Sequence, residues 1–248
     1  MFSFFSSKSI PSIDLSAIGT DMHSHLLPGI DDGSPDAGTS LELLKGLQGL
    51  GLKKFITTPH ILWDLYRNDD QTIGNARAVF QQAADQQNIP LPVTAAAEYM
   101  MDDHFAELLR KKVPLRTISG KYVLVEFSFV SLPFEWKEML FDLQMQGYQP
   151  VLAHPERYSY LGTKTDVFQE ITEMGVVLQV NLNSLTGYYG KPALQLAKEL
   201  ARKKLVTFVG TDLHHHRHLE ALRNSPHLMD SIKGLLDSGK LLNSQLEV

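Results

Sequence analysis

Seven short apolar runs, at residues 18–22, 53–57, 93–99, 122–127, 150–153, 176–182 and 205–209, alternate with helical patterns along the chain. Each run has a histidine, a carboxylate or an asparagine close to or just beyond its C-terminal end. This alternation constrains the fold more than any other feature. Near-continuous apolar strands separated by helices must be buried on both faces, which calls for a parallel sheet covered by helices. Closed into a ring, seven such units make an α/β fold of the TIM-like barrel kind, one strand short of the usual eight. An open doubly wound sheet is the alternative that the pattern leaves standing. In a barrel the C-terminal strand ends converge on one mouth, where the polar residues would meet.

The helical stretches predicted between the runs are 71–87, 103–111, 136–146, 164–174, 192–203 and 228–236. They are preceded by one that Ser34 would cap and Pro35 would open, with Leu41, Leu44 and Leu47 three apart and Gly51 placed to end it. Gly46, Gly49 and Gly51 have the wrong spacing for a phosphate loop. No repeat or low-complexity linker divides the 248 residues, so one domain over 1–248 is expected.

Composition narrows the chemistry. The chain has ten His and no Cys, which removes disulfides, thiolate metal sites and a cysteine nucleophile. With 23 Lys+Arg against 28 Asp+Glu, its net charge of −5 argues against a general nucleic-acid binder. No run approaches the ~18 apolar residues of a membrane span. The apolar opening, residues 1–5, is too short for a secretory signal and lacks a basic flank, so a cytoplasmic protein is expected.

The run ends read Asp21-Met-His23-Ser-His25, Thr57-Thr-Pro-His60, Glu98-Tyr99, Glu126-Phe-Ser128, His154-Pro-Glu-Arg157, Asn181 with Asn183, and Gly210-Thr-Asp212-Leu-His214. In extended chain, His-x-His and Asp-x-His put both side chains on one side, the arrangement two ligands of one cation need. Imidazoles with carboxylates suit Mn, Fe or Zn, and the carboxylate share favours Mn or Fe. The loop after His25 adds Asp31 and Asp32, one of them expected to be structural because Asp-Gly is also a turn signal. In the run 214–218 only His214 shares the alternation with Asp212. His215, His216 and His218 are therefore expected at the surface, and His104 and His227 fall in helical stretches.

Taken in order, Asp-x-His-x-His…Pro-Gly-x-Asp-Asp-Gly, Thr-Pro-His, Val-Glu-Phe-Ser, Ala-His-Pro-Glu-Arg-Tyr, Gln-Val-Asn and Gly-Thr-Asp-x-His resemble the polymerase and histidinol phosphatase (PHP) superfamily. Within it, the chain is similar to the bacterial metal-dependent protein-tyrosine phosphatases of capsule and exopolysaccharide operons, over about residues 18–240. The resemblance implies a distorted seven-stranded barrel with three divalent metal ions, Mn foremost. Carried over by motif, the first ion falls to His23, His25, Glu98 and Asp212. The second falls to Glu98, Glu126 and His154, and the third to Asp32, His60 and His214. Arg157 matches a phosphate-binding arginine of the family, and Arg217 is the residue nearest to a second one.

The implied reaction is in-line attack on phosphorus by a metal-bridged hydroxide, which needs no covalent intermediate and so suits a chain without cysteine. Tyrosinate, with a pKa near ~10, leaves without a strong general acid. The implied substrate is phosphotyrosine in a protein, the tail of a bacterial tyrosine kinase. Trp63, Tyr66, Phe129, Phe134, Trp136, Tyr158, Tyr188 and Tyr189 are candidates to flank its ring. A small-metabolite phosphatase of the histidinol-phosphatase kind and a metal-binding scaffold without turnover are the alternatives.

Overall fold

The computed structural model describes residues 13–162 and 165–248. Residues 1–5, read above as too short for a signal, lie outside the described residues, as does Lys164, the expected start of a helix. Among the described residues no helix is long and apolar enough to cross a membrane.

The strands are β1 (Thr20–Asp21), β2 (Lys54–Thr57), β3 (His60–Ile61), β4 (Val93–Ala95), β5 (Glu98–Met100), β6 (Tyr122–Glu126), β7 (Gln149–Ala153), β8 (Val177–Asn181) and β9 (Val206–Gly210). All neighbours pair in parallel, in one sheet of order β1-β2-β4 and one of order β3-β5-β6-β7-β8-β9. The expected α/β class is present, but the expected strand at 93–99 is broken in two, the one at 53–57 is followed by a further short strand at His60–Ile61, and the sheets, of three and six strands, do not close into one continuous ring.

The break has a local cause. Pro59 follows β2 and has no N–H to give to a ladder. The pairing offset is the same on both sides of it, Thr57 opposite Ala95 and His60 opposite Glu98. Two hydrogen bonds cross the gap, from Ala96 N to Thr57 O (2.9 Å) and from Glu98 N to Pro59 O (3.0 Å).

The helices are α1 (Ala37–Gln48), α2 (Asp70–Gln86), α3 (Asp103–Arg110), α4 (Trp136–Met145), α5 (Asp166–Glu173), α6 (Leu182–Thr186), α7 (Lys191–Arg202), α8 (His216–Arg223) and α9 (Leu228–Asp237). Asp36, not Ser34, caps α1 by accepting from Thr39 N; Gly51 sits just beyond its end at φ +95°, a conformation glycine adopts without strain. Asp69 and Thr72 form a reciprocal capping box at α2. The short α6 and the His-rich α8 carry too little apolar periodicity to be seen in the sequence.

Two apolar clusters follow from the strand period of two. Val123 and Val125 of β6 join the large cluster that includes helix residues such as Phe80, Phe105, Phe168 and Leu200. Leu124 faces the other way, into a smaller plug with Met22, Ile56, Ala96, Val151, Ala153 and Phe208. Every run but the sixth thus contributes a fully buried residue to the plug.

Between β1 and β9 the ladder is absent, and side chains replace it. Asp21 accepts from the amide (2.9 Å) and hydroxyl (2.6 Å) of Thr211, and a parallel bridge joins Ser24 to Leu213. At the other end, the buried Asn243 side chain donates to Thr20 O (3.0 Å) and Val209 O (2.6 Å) and accepts from Val209 N (2.9 Å). Asn243 therefore stands in for a missing strand pairing. Asn243→Ala should lower unfolding free energy by about 2–4 kcal/mol, since it strands buried backbone groups as well as losing bonds. Urea unfolding would measure it, and a change below about 0.5 kcal/mol would show that water replaces the amide without cost.

Candidate metal centre

The period that builds the plug also builds the site above it. Glu98 stands two residues after Ala96, Glu126 two after Leu124, and His60 four after Ile56, so each shares its run's inward face with a plug residue. His154 and Asp212 instead depart from the strand with φ of +32° and +50°. Among the described residues the other non-glycine residues at positive φ are Asn88, Lys112 and Lys204, each two residues beyond a helix's last residue, where such a conformation is ordinary. At His154 and Asp212 it is strain held by the surroundings, a feature that concentrates at functional sites. Gly210 lets β9 pass close by: a Cβ there would lie 2.5 Å from the His23 Cβ.

All nine expected ligand residues meet at this mouth. Glu98 is fully buried at the centre. Its Oε2 lies 3.2 Å from His23 Nε2, 3.4 Å from His25 Nε2 and 3.1 Å from His60 Nδ1, and its Oε1 lies 2.9 Å from His154 Nε2. Glu126 Oε1 is 3.1 Å from His60 Nδ1, and Asp212 Oδ1 is within 3.4 Å of His23, His25 and His214. Four groups bring one ligand atom per residue within 4.8 Å of one another: His25-Asp32-His60-His214, His23-His154-Asp212, His23-His25-Glu98 and His60-Glu98-Glu126. They differ from the expected sets in where His25, His60 and His154 fall.

The two acids of the Asp31-Asp32 pair take different roles. Asp31 is spent on structure: it accepts from His25 Nδ1 (2.8 Å), His60 N (3.1 Å) and Gly33 N (3.0 Å). Asp32, half exposed, faces His60 Nε2 at 3.4 Å and His214 Nε2 at 3.5 Å. The Gln-Val-Asn motif supplies orienting groups, a role the sequence pattern does not assign to it. Gln179 Oε1 holds His23 Nδ1 at 2.8 Å, and Asn181 donates to Asp212 Oδ2 at 2.6 Å. An amide inside the apolar run Leu178-Gln179-Val180 was the available signal.

Arg157 reaches the cleft. Its Nη1 donates to Asp212 Oδ2 at 2.9 Å, and the guanidinium lies between the rings of Phe129 (4.7 Å) and Tyr189 (4.3 Å). Arg217 is exposed on α8 and lines no part of the cleft. His218 lines it instead. Expected at the surface, His218 is buried, with its Nδ1 3.1 Å from Asp212 O and its ring against Tyr188 and Tyr189. Burial holds it neutral, with its pKa down at about 3. His215 is exposed at the cleft's rim, and His216 is exposed and pairs with Glu42 at 3.2 Å. Of the candidate aromatics, Trp136 packs in the core against Phe127, Tyr66 stacks on His60, and Trp63 stacks on His104 away from the cleft.

Electrostatics tie these groups together. Burial opposes charge throughout, but the neighbours outweigh it. Glu126 and Glu98 raise His60 to about 9 despite its burial, and His25 is raised well above its ordinary value by Asp31, Asp212 and Glu98. Glu98 and Asp212 are held well below the carboxylate range by the imidazoles. Without cations, protons on the histidines are what balance the buried carboxylates. His154 Nδ1 and Glu126 Oε2 are buried without a hydrogen-bond partner, a cost that needs a reason. Five imidazoles, four carboxylates and no thiol make a donor set that fits hard or borderline divalent cations.

Known proteins are similar to this chain in sequence and shape. Residues 19–236 match the model of the family described as capsular polysaccharide synthesis, CpsB/CapC. The tyrosine-protein phosphatase YwqE of Bacillus subtilis is 31% identical over 194 residues, covering 78% of this chain and 76% of the relative. The tyrosine-protein phosphatase CpsB of Streptococcus agalactiae is 27% identical over 203 residues, 78% of this chain and 82% of that one. A structure from work on YwqE of Bacillus subtilis and CpsB of Streptococcus pneumoniae, described as unique metal-dependent tyrosine phosphatases, superposes with a TM-score of 0.76 at 29% identity. It covers 88% of this chain and 86% of its own. A lactonase from Listeria monocytogenes, at 10% identity and a TM-score of 0.51 over 87% of this chain and 84% of that one, shares the fold alone. The chain belongs to the capsular polysaccharide synthesis CpsB/CapC family.

Proposed function

We propose that this protein is a metal-dependent phosphatase of phosphotyrosine in proteins, acting in the cytoplasm on a bacterial tyrosine kinase of capsule or exopolysaccharide synthesis. One observation carries the reading: nine His, Asp and Glu side chains converge on one mouth, with Arg157 at its edge. We read the chain as one domain and its two sheets as a distorted seven-stranded barrel, interrupted at Pro59 and sealed by Asp21, Asn243 and the Ser24–Leu213 bridge.

In this reading three divalent ions, manganese first, are held by His23, His25, Asp32, His60, Glu98, Glu126, His154, Asp212 and His214. Bound ions of this kind lower the pKa of water toward neutrality and neutralise phosphoryl charge. The chain's own groups do the rest. Asp31 and Gln179 fix the rings of His25 and His23, so the ligand nitrogens need no reorganisation. Arg157, clamped between two rings, offers a guanidinium to a non-bridging phosphoryl oxygen. A tyrosinate leaving group, with a pKa near ~10, removes the need for a strong acid.

Chelation should abolish hydrolysis of a phosphotyrosine peptide, and Mn²⁺ should restore it. His154→Ala should lose bound metal and nearly all turnover, whereas His216→Ala stays near wild type. Activity that survives metal removal would overturn the proposal, and histidinol phosphate preferred over the peptide would transfer it to the small-metabolite class.

Arg157→Lys keeps a charge but not the two parallel donors. It should cut kcat/KM by roughly 10²–10³ with metal content unchanged. Near-normal turnover with full metal would leave Arg157 only its pairing with Asp212.

The protonated histidines also predict a pH response. His60 is raised from 6.5 to about 9, so its contribution is full below pH 6.5 and lost as pH climbs through 9. Glu98 and Asp212 are depressed, so theirs is present above the ordinary carboxylate range and lost in acid. Metal-free protein should therefore be most stable between about pH 5 and 6.5 and weaken toward pH 9, while added Mn²⁺ stabilises it more as pH rises. Thermal unfolding across this range measures both, and a metal-free Tm that is flat from pH 6 to 9 would contradict the charge balance.

A further inference from the structure

Beside the metal cleft lies a second cavity of about 440 Å³, against about 190 Å³ for the cleft itself. The two share Phe129, Arg157 and Tyr189 as lining residues, so they adjoin at these side chains. Away from the cleft the cavity runs between the turn at residues 155–162 and the first turns of α7, where Pro192, Ala193 and Leu196 line it. We infer that this cavity is the aryl subsite: with the phosphoryl group on the cleft side of Arg157, the ring of phosphotyrosine lodges against Phe129, Tyr189 and Leu196. The inference rests on the proposed phosphatase reading and adds to it the residues that select an aryl ester.

Three observations favour this side of the cleft. The cavity near Trp63 and Phe134, also aromatic, shares no wall with the metal cleft, so a ring there could not be bonded to a phosphoryl group at the metals. Phe129 is 44% exposed although it is a large apolar ring, and it lies where a second ring could cover it. Two polar atoms of wall residues are buried without a partner, Glu156 Oε2 and the Tyr189 hydroxyl. Glu156 is 3% exposed, and its other oxygen is already committed to Asn181 N (2.9 Å) and Ser184 Oγ (2.6 Å). A ligand with hydrogen-bonding groups beside its ring, as peptide-linked phosphotyrosine has, meets partners there. A phosphoserine side chain has no ring to fill the space.

The test is calorimetric titration of the Mn²⁺-loaded full chain with methylphosphonate and benzylphosphonate, which share a head group and differ by the ring. Benzylphosphonate should bind wild type at least about tenfold more tightly, from burial of the ring. Ser159→Trp, at the exposed rim, and Ala193→Leu, on α7, each fill the cavity from a different wall. Each should remove that advantage while methylphosphonate affinity stays within about twofold, a change too small to reflect a lost ligand contact. An equal affinity of wild type for the two ligands, an advantage that survives both substitutions, or an equal loss of both ligands would overturn the subsite. Failure of wild type to bind either phosphonate would overturn the phosphatase reading and the subsite with it.

Discussion

Glu98 is wholly buried and has imidazole nitrogens of four histidines within 3.4 Å. An isolated carboxylate in such a place would be driven to its neutral form by the cost of leaving water. It stays ionised because positive charge surrounds it, and the same holds for Asp212. The balance can be kept in two ways, by protons on the imidazoles or by cations between the ligands. Only the second leaves each imidazole at the mouth neutral, with one ring nitrogen free to serve as a lone-pair donor. The remaining architecture can be read as what is required to hold these groups at that density. An apolar plug beneath keeps water from relieving the crowding from below, and main-chain strain at His154 and Asp212 aims the two side chains that regular strands would point elsewhere.

Much of this was legible in the sequence because strands have period two and parallel strands carry their C-terminal ends to one side of a sheet. The seven runs each became a strand or a pair of strands in register, and the nine residues at their ends came together. What escaped has physical reasons. Pro59 interrupts a ladder whose register continues past it, and hydrophobic pattern carries no information about a missing N–H donor until the partner strand is known. The separate roles of Asp31 and Asp32 depend on three hydrogen bonds that adjacent, identical side chains cannot reveal. His218 reads as one more polar residue in a His-rich run, yet helix α8 turns it back by one turn onto Asp212 O and into the cleft. Arg217, one position earlier, is carried to the solvent side by the same rotation of about 100° per residue.

The gap between β1 and β9 explains a second group of residues that pattern alone would call unremarkable. Parallel strands normally seal by backbone bonds, but here the first strand is only two residues long, Thr20–Asp21, and leaves donors and acceptors of β9 open. Asn243 supplies both a carbonyl and an amide in one side chain, the minimum needed to bridge two strand edges at once. Asp21 does the equivalent at the mouth, where burial pushes its carboxyl up to about 6 even though Thr211 bonds it twice. That bond is adjacent to the site: Asp212 N donates to His23 O at 2.8 Å, so closing the seam and placing two of the nine converging side chains are one event.

Asp212 is the residue where these demands meet. Its amide closes the seam, its Oδ1 faces three imidazoles, and its Oδ2 takes both Asn181 and Arg157. A carboxylate so occupied is held in place, and the guanidinium that donates to it is held with it, against the rings of Phe129 and Tyr189. Arg157 is thereby preorganised by the same side chain that joins the proposed cation cluster. A change in that cluster's charge would alter Asp212's pull on Arg157 and with it the donor offered to a phosphoryl oxygen. Through the Phe129 and Tyr189 rings, the wall of the adjoining cavity is fixed as well. Charge balance at the mouth, and in the proposed reading phosphoryl binding and the shape of the aryl subsite as well, thus all depend on this one buried carboxylate at a strained turn.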